Sequence, residues 1–247
     1  MDTLNSFTSV VRRCVDDYRM IEAGDRIAVG VSGGKDSLVL LASLACLRRY
    51  YPLPFELEAV TVDAGFPGMD FSGVAELCAR LEVPYTLVPT DIREIVFEAR
   101  KEDNPCSLCA KMRKGALNTT VKARGCNKLA LGHHFDDAVE TFMMSLVYEG
   151  RLNCFKPVTY MSRSEVTQIR PLLYAGELRS AKLAETLALP VVASTCPMDK
   201  TSRRAEIKAL LTELSRTYPD LRSKIFGAMQ RLPLDGWAPD PRPRTKE

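Results

Sequence analysis

Hydrophobic positions along this chain alternate between two periods, and the alternation predicts an α/β fold. Residues 3–22 carry Phe7, Val10, Val11, Cys14, Val15 and Tyr18 at helical spacing, the apolar face of an amphipathic helix. A short apolar run over 26–31 then reads as a buried strand, and 36–50 as its crossover helix. The pattern recurs with strand 55–62 and helix 71–81, strand 84–88 and a helix opening at Pro105, and strand 128–131 followed by a helix through Phe142, Met143, Leu146 and Val147. Residues 150–156 read as a loop, 166–170 as a fifth strand, 176–188 as a helix and 190–193 as a short extended piece. Strands alternating with crossover helices predict a Rossmann-like, doubly wound parallel sheet of five strands. From 199 the chain turns basic and helical to about 231, and four prolines in 233–247 predict a loosely ordered tail. The expected division is an N-terminal helix (1–25), an α/β domain (26–195), a basic helical C-terminal region (196–232) and the tail (233–247).

Composition narrows the class. A chain of 247 residues with 46% hydrophobic and 26% charged residues can bury a full core. The first residues carry acids and no long apolar run, so a secretory signal is not expected. The apolar run 38–47 is too short to cross a bilayer, and no membrane association is expected. Eight cysteines without such a signal predict a reducing, cytoplasmic setting, where clustered thiols serve metal or redox chemistry. Net charge is +3, but residues 1–99 hold 9 basic and 15 acidic side chains while 100–247 hold 25 and 16. That asymmetry fits a polyanion docking on the second half.

The densest chemistry follows the first strand, in Ser32-Gly33-Gly34-Lys35-Asp36-Ser37. Two glycines allow several backbone N–H groups to share one concave surface, and the positive end of a helix follows at once, which makes a phosphate cradle. Lys35 adds a cation, and Ser32 and Ser37 add hydroxyls. An acid follows the lysine where a Walker loop needs Ser or Thr, so this is not a Walker loop. Ligands in open α/β sheets bind at the carboxyl ends of strands, which puts Val62 and Asp63 beside the ligand; a plain turn cap is the competing role for Asp63. Cys106 and Cys109 form a C-x-x-C at the start of a helix, open to a zinc half-site, a redox pair or a cluster half-site. Lys111, Arg113 and Lys114 follow on that helix.

The Ser-Gly-Gly-x-Asp-Ser stretch resembles the signature of the PP-loop pyrophosphatase family. The resemblance implies ATP cleaved between its α- and β-phosphates, leaving AMP on a substrate oxygen. Gly132-His133-His134-Phe135-Asp136-Asp137 matches the second nucleotide-side motif of PP-loop RNA-modifying enzymes, which brings Gly132 and His133 to the nucleotide. Its carboxylates would hold Mg2+ or orient the base, with Asp136 assigned to the chemistry and Asp137 to capping. Cys196 lies where the family places a cysteine facing the C-x-x-C, although many members carry a second C-x-x-C there. Cys14, Cys46, Cys78, Cys126 and Cys154 read as core or incidental.

In order and spacing these motifs are similar to those of the tRNA 2-thiocytidine synthetase group, over residues 18 to about 210. The resemblance implies a 4Fe-4S cluster on Cys106, Cys109 and Cys196, with one iron left open for external sulfide, and zinc as the competing occupant. ATP would adenylate the O2 of a cytosine and cluster-borne sulfur would displace AMP, with Lys35, Asp36, Asp136 and the three cysteines as the catalytic set. Partners so implied are tRNA, an external sulfur donor (a cysteine desulfurase or sulfide) and an electron donor, with a homodimer left open. The competing readings are a lysidine synthetase-like ligase and a non-catalytic nucleotide-binding iron–sulfur sensor.

Overall fold

The computed structural model describes residues 3–100, 105–196, 203–231 and 236–237. In chain order the elements are α1 (Leu4–Asp17), β1 (Arg26–Gly30), α2 (Lys35–Arg48), β2 (Glu56–Asp63), α3 (Ser72–Arg80) and β3 (Tyr85–Pro89). A π-helical turn over Glu94–Ala99 leads to α4 (Pro105–Ala123), β4 (Lys128–Ala130) and α5 (Phe135–Glu149). Then come β5 (Val158–Met161), β6 (Val166–Ile169), α6 (Glu177–Thr186), α7 (Arg203–Thr217) and α8 (Leu221–Arg231).

The doubly wound parallel sheet expected from the sequence is present, but with six strands rather than five. Their order is β3-β2-β1-β4-β6-β5, parallel throughout except that β5 pairs antiparallel with β6. The extra strand is a four-residue edge whose Tyr160 is 64% exposed. With no buried apolar run of its own, it left no strand signal beyond the loop before it.

Strand alternation sorts the side chains onto two faces. Ile27, Val29, Ala59, Ala130 and Ile169 join the main core with α1, α2, α5 and α6. Ala28, Val60, Leu129 and Val166 face the other way, onto Val121 of α4. Helix α2 lies between α1, α6 and the sheet, so its residues are buried nearly all round. Helix α1 starts on the Thr3 hydroxyl, which accepts the Ser6 N–H, and stops before Arg19 at φ +48°, short of the predicted residue 22. At the foot of the sheet, buried Lys128 pairs with buried Asp25 across 2.7 Å.

Trp237 corrects the expectation of a loose tail at one point. It is fully buried, its Nε1 donates to the Phe155 carbonyl at 3.0 Å, and its ring meets Phe226 edge-on at 5.4 Å. Apart from Gly236 and Trp237, the 233–247 segment lies outside the described residues, as does the start of the basic C-terminal region, 197–202. Among the described residues no helix is long and apolar enough to cross a membrane.

Candidate functional site

From β1 the chain moves toward β2 and β3, whereas β4 leads the other way to β6. The crevice between the carboxyl ends of β1 and β4 is therefore the topological switch point, the ordinary place for a ligand in such a sheet. Both glycine motifs end there. After β1, Gly33 turns the chain at φ +84°, and a Cβ at this position would stand 2.8 Å from the Val192 Cβ. No side chain caps α2 at Gly34, so its first N–H groups stay available to an anion. Ser37 donates to the Gly34 carbonyl at 2.8 Å and accepts the Ser32 N–H at 3.2 Å, which fixes the loop's curvature. After β4, Gly132 packs on the start of α2. A Cβ there would sit 3.1 Å from the Ser37 nitrogen, so this glycine serves the close approach of the two loops.

The charges around the loop form a chain. The Lys35 ammonium lies 2.8 Å from Asp36 Oδ2 and 3.5 Å from Glu177 Oε1, and Lys208 takes the other Glu177 oxygen. Burial pulls the Lys35 pKa down, but Asp36 and Glu177 outweigh it and the net shift is upward. Buried His134 accepts the Asp137 N–H on Nδ1, and its Nε2 stands 3.8 Å from Asp36 Oδ2, too far for a hydrogen bond. Asp36 Oδ1 is buried with no hydrogen-bond partner. Glu177 and His134, neither marked as site residues by sequence, thus set the environment of Asp36.

The two aspartates of the second motif have other partners. Asp136 accepts the Glu177 N–H at 2.8 Å, capping α6, and pairs with Arg222 of α8 at 3.1 Å. Asp137 closes a capping box with His134 and pairs with Arg204 at 3.1 Å. The geometry therefore gives Asp136, expected to do chemistry, a place in holding α6 and α8 onto α5. Asp63 likewise closes a turn, accepting the Gly65 N–H at 2.9 Å, while Val62 lines the site. Arg204, Lys208 and Arg222 are spent on internal ion pairs, so the basic C-terminal helices offer less free charge to a polyanion than their composition implied.

One cavity of about 830 Å³ gathers most of the predicted residues, with Gly33 and Lys35 outside its lining. Ser32, Gly34, Asp36 and Ser37 line one side, with Val62, Gly132 and His133 at the strand ends. Cys106, Cys109 and Cys196 line the other, with Arg113 and Lys114 of α4. Cys109 is buried against Ala64, Ile92 and Val96, whereas Cys106 is exposed. Burial pushes the Cys109 thiol up and Cys196 and Cys106 add to the rise, while Arg113 opposes it. All three are free thiols. A set of three soft donors on one cavity wall fits an iron–sulfur cluster or zinc, both of which bind thiolates. Among the described residues no three His, Cys, Asp or Glu side chains already converge on a single ion position. Sequence reasoning missed Gln168 and Arg170, which also line the cavity; only their strand register could have marked them.

Three comparisons bear on this site. A family model described as PP-loop domain matches residues 5–213. A tRNA-cytidine(32) 2-sulfurtransferase of Pelobacter propionicus is 40% identical over 225 residues, 90% of this chain and 84% of the relative. One of the same name from Geobacter sulfurreducens is 40% identical over 90% of this chain and 87% of the relative. Among solved structures, the U34-tRNA thiolase NcsA of Methanococcus maripaludis, with its 4Fe-4S cluster, superposes with a TM-score of 0.77 at 28% identity, covering 92% of this chain and 78% of that one.

Proposed function

This chain belongs to the PP-loop family, and on that footing we propose that it is an ATP-dependent tRNA sulfurtransferase, replacing the O2 of a cytidine with sulfur and forming AMP and pyrophosphate. The observation that carries the reading is the shared cavity: an uncapped helix start on a glycine loop and three free thiols face one space. Activation of the base oxygen and its replacement need both groups beside the same carbon, and one cavity supplies both.

The free N–H groups at the start of α2, with Ser32 and Gly34, receive the phosphates, and Val62 packs beside the adenine. Asp36 Oδ1, buried and unpartnered, suits Mg2+, which would neutralise phosphate charge. His134 stands beside Asp36, and Lys35 is kept beside the loop by Asp36 and Glu177 as the cation for the phosphates. Asp136 acts as a positioning residue through α6 and α8. Cys106, Cys109 and Cys196 would hold a 4Fe-4S cluster. Held through these three thiolates, such a cluster would carry externally supplied sulfur to the activated carbon. Arg113 and Lys114, which line the cavity, offer the RNA cations from α4. Sulfur and electrons would come from outside partners, a cysteine desulfurase or sulfide and a reductant, in the cytoplasm.

The test compares digested tRNA from cells with and without the gene. Loss of 2-thiocytidine, restored by the wild-type chain and not by Cys106→Ala, is the expected result. Unchanged 2-thiocytidine in the deletion would overturn the reading.

A further inference from the structure

The cavity also holds a cation that the reaction as described leaves unused. Arg170 follows β6 directly and, by strand alternation, shares with Gln168 and Val166 the face that α4 covers, while Ile169 points into the main core. It is 6% exposed and lines the cavity. Among the described residues no carboxylate pairs with it. Its Nη1 donates to the Lys156 carbonyl and to Thr159 Oγ1, and its Nη2 to Gln168 Oε1 at 3.5 Å. All three acceptors are neutral, and Nε has no partner. The guanidinium lies 4.9 Å from the centre of the Phe155 ring, which the His133 ring also packs against at 4.9 Å. His133 Nδ1 is buried and unpartnered as well.

Burial lowers the Arg170 pKa to about 10, so the side chain stays charged at neutral pH. A buried charge without a counter-charge is strongly unfavourable, and an anion entering the cavity would remove that cost. A staple for the Lys156 carbonyl alone would not need a charged group, nor leave Nε without a partner. The planar guanidinium, with donors to spare, matches phosphate oxygens.

We propose that Arg170, flanked by Gln168 and His133, is a second phosphate subsite of the cavity, taking a phosphate oxyanion of the nucleotide or of the RNA backbone. The proposal rests on the PP-loop sulfurtransferase reading above and adds a subsite to it.

Protein purified anaerobically with its bound metal is titrated calorimetrically with inorganic pyrophosphate and, separately, with an unmodified tRNA transcript. Arg170→Gln should weaken one of the two by roughly ten-fold or more, the scale of a lost charge-assisted hydrogen bond. Loss for pyrophosphate assigns the subsite to the nucleotide, and loss for the transcript assigns it to the RNA. Gln168→Glu supplies the missing carboxylate internally. It should raise the melting temperature and weaken the same probe, and it decides the matter if Arg170→Gln does not fold. Wild-type affinity for both probes in Gln168→Glu, or in a folded Arg170→Gln, would overturn the subsite while leaving the PP-loop reading intact. A wild-type protein that binds neither probe would overturn the functional reading and the subsite together.

Discussion

The Val192 N–H donates to the Gly33 carbonyl across 2.9 Å, tying the segment that leads to Cys196 onto the phosphate loop. The Cys196 side of the cavity is thus tied to the loop at the glycine with φ +84°. A side chain at Gly33 would strain that conformation and press on Val192 at once. Gly33→Ala should destabilise the protein by about 1–3 kcal/mol. It should also lower both ATP affinity and bound iron, although no cysteine is altered. Denaturant titration and iron analysis check this, and unchanged iron with weakened ATP binding would show the two halves to be independent.

Asp36 offers a sharper test of the phosphate site, because its Oδ1 contributes no hydrogen bond to the fold. Asp36→Asn should leave the melting temperature close to wild type and slow pyrophosphate release by about 100-fold or more. Turnover within a few-fold of wild type would remove Asp36 from the reaction.

Asp136 should behave in the opposite way. Its oxygens cap α6 at the Glu177 N–H and hold Arg222. Asp136→Ala leaves both donors unmatched and should cost about 1–3 kcal/mol of stability. Pyrophosphate release per folded molecule should fall much less than in Asp36→Asn. A fully stable variant that has lost turnover would instead put Asp136 against the substrate.

His133 makes stability depend on pH. Burial, then the nearby charge of Arg170, lowers its pKa from 6.5 to about 4. Between those values the unfolded chain binds a proton that the folded chain refuses. The contribution is therefore whole above pH 6.5 and is lost as pH falls toward 4, by about 3 kcal/mol in all. Replacing His133 with Gln should flatten the stability profile in that window, measured by denaturant titration at successive pH values. Parallel profiles for the two proteins would show His133 to titrate normally.

The glycine loop, the C-x-x-C and Gly132-His133 were legible because each is a local pattern on a strand–loop–helix unit. Their meeting at the switch point followed from the parallel order that alternating strands and helices imply. What escaped depends on neighbours distant in sequence. Arg170 looks like any arginine before a proline until the fold seats its guanidinium over Phe155 on the cavity lining. For Asp136 and Asp137 the motif suggests roles, but their partners Arg222, Glu177 and Arg204 lie far away in sequence. Composition counts the charges of α7 and α8 but not the acids that absorb them. Trp237 is a single aromatic among prolines, and its burial depends on Phe155 and Phe226.

The central claim is that three thiols and a nucleotide loop serve one reaction space, and the most direct test begins with the metal. The chain is purified without oxygen and analysed for iron, sulfide and zinc, beside Cys196→Ala prepared identically. The account predicts about four iron and four sulfide per wild-type chain. It predicts loss of most of that iron in Cys196→Ala, with ATP affinity retained. Stoichiometric zinc without iron in the wild type, or full iron in Cys196→Ala, would contradict it.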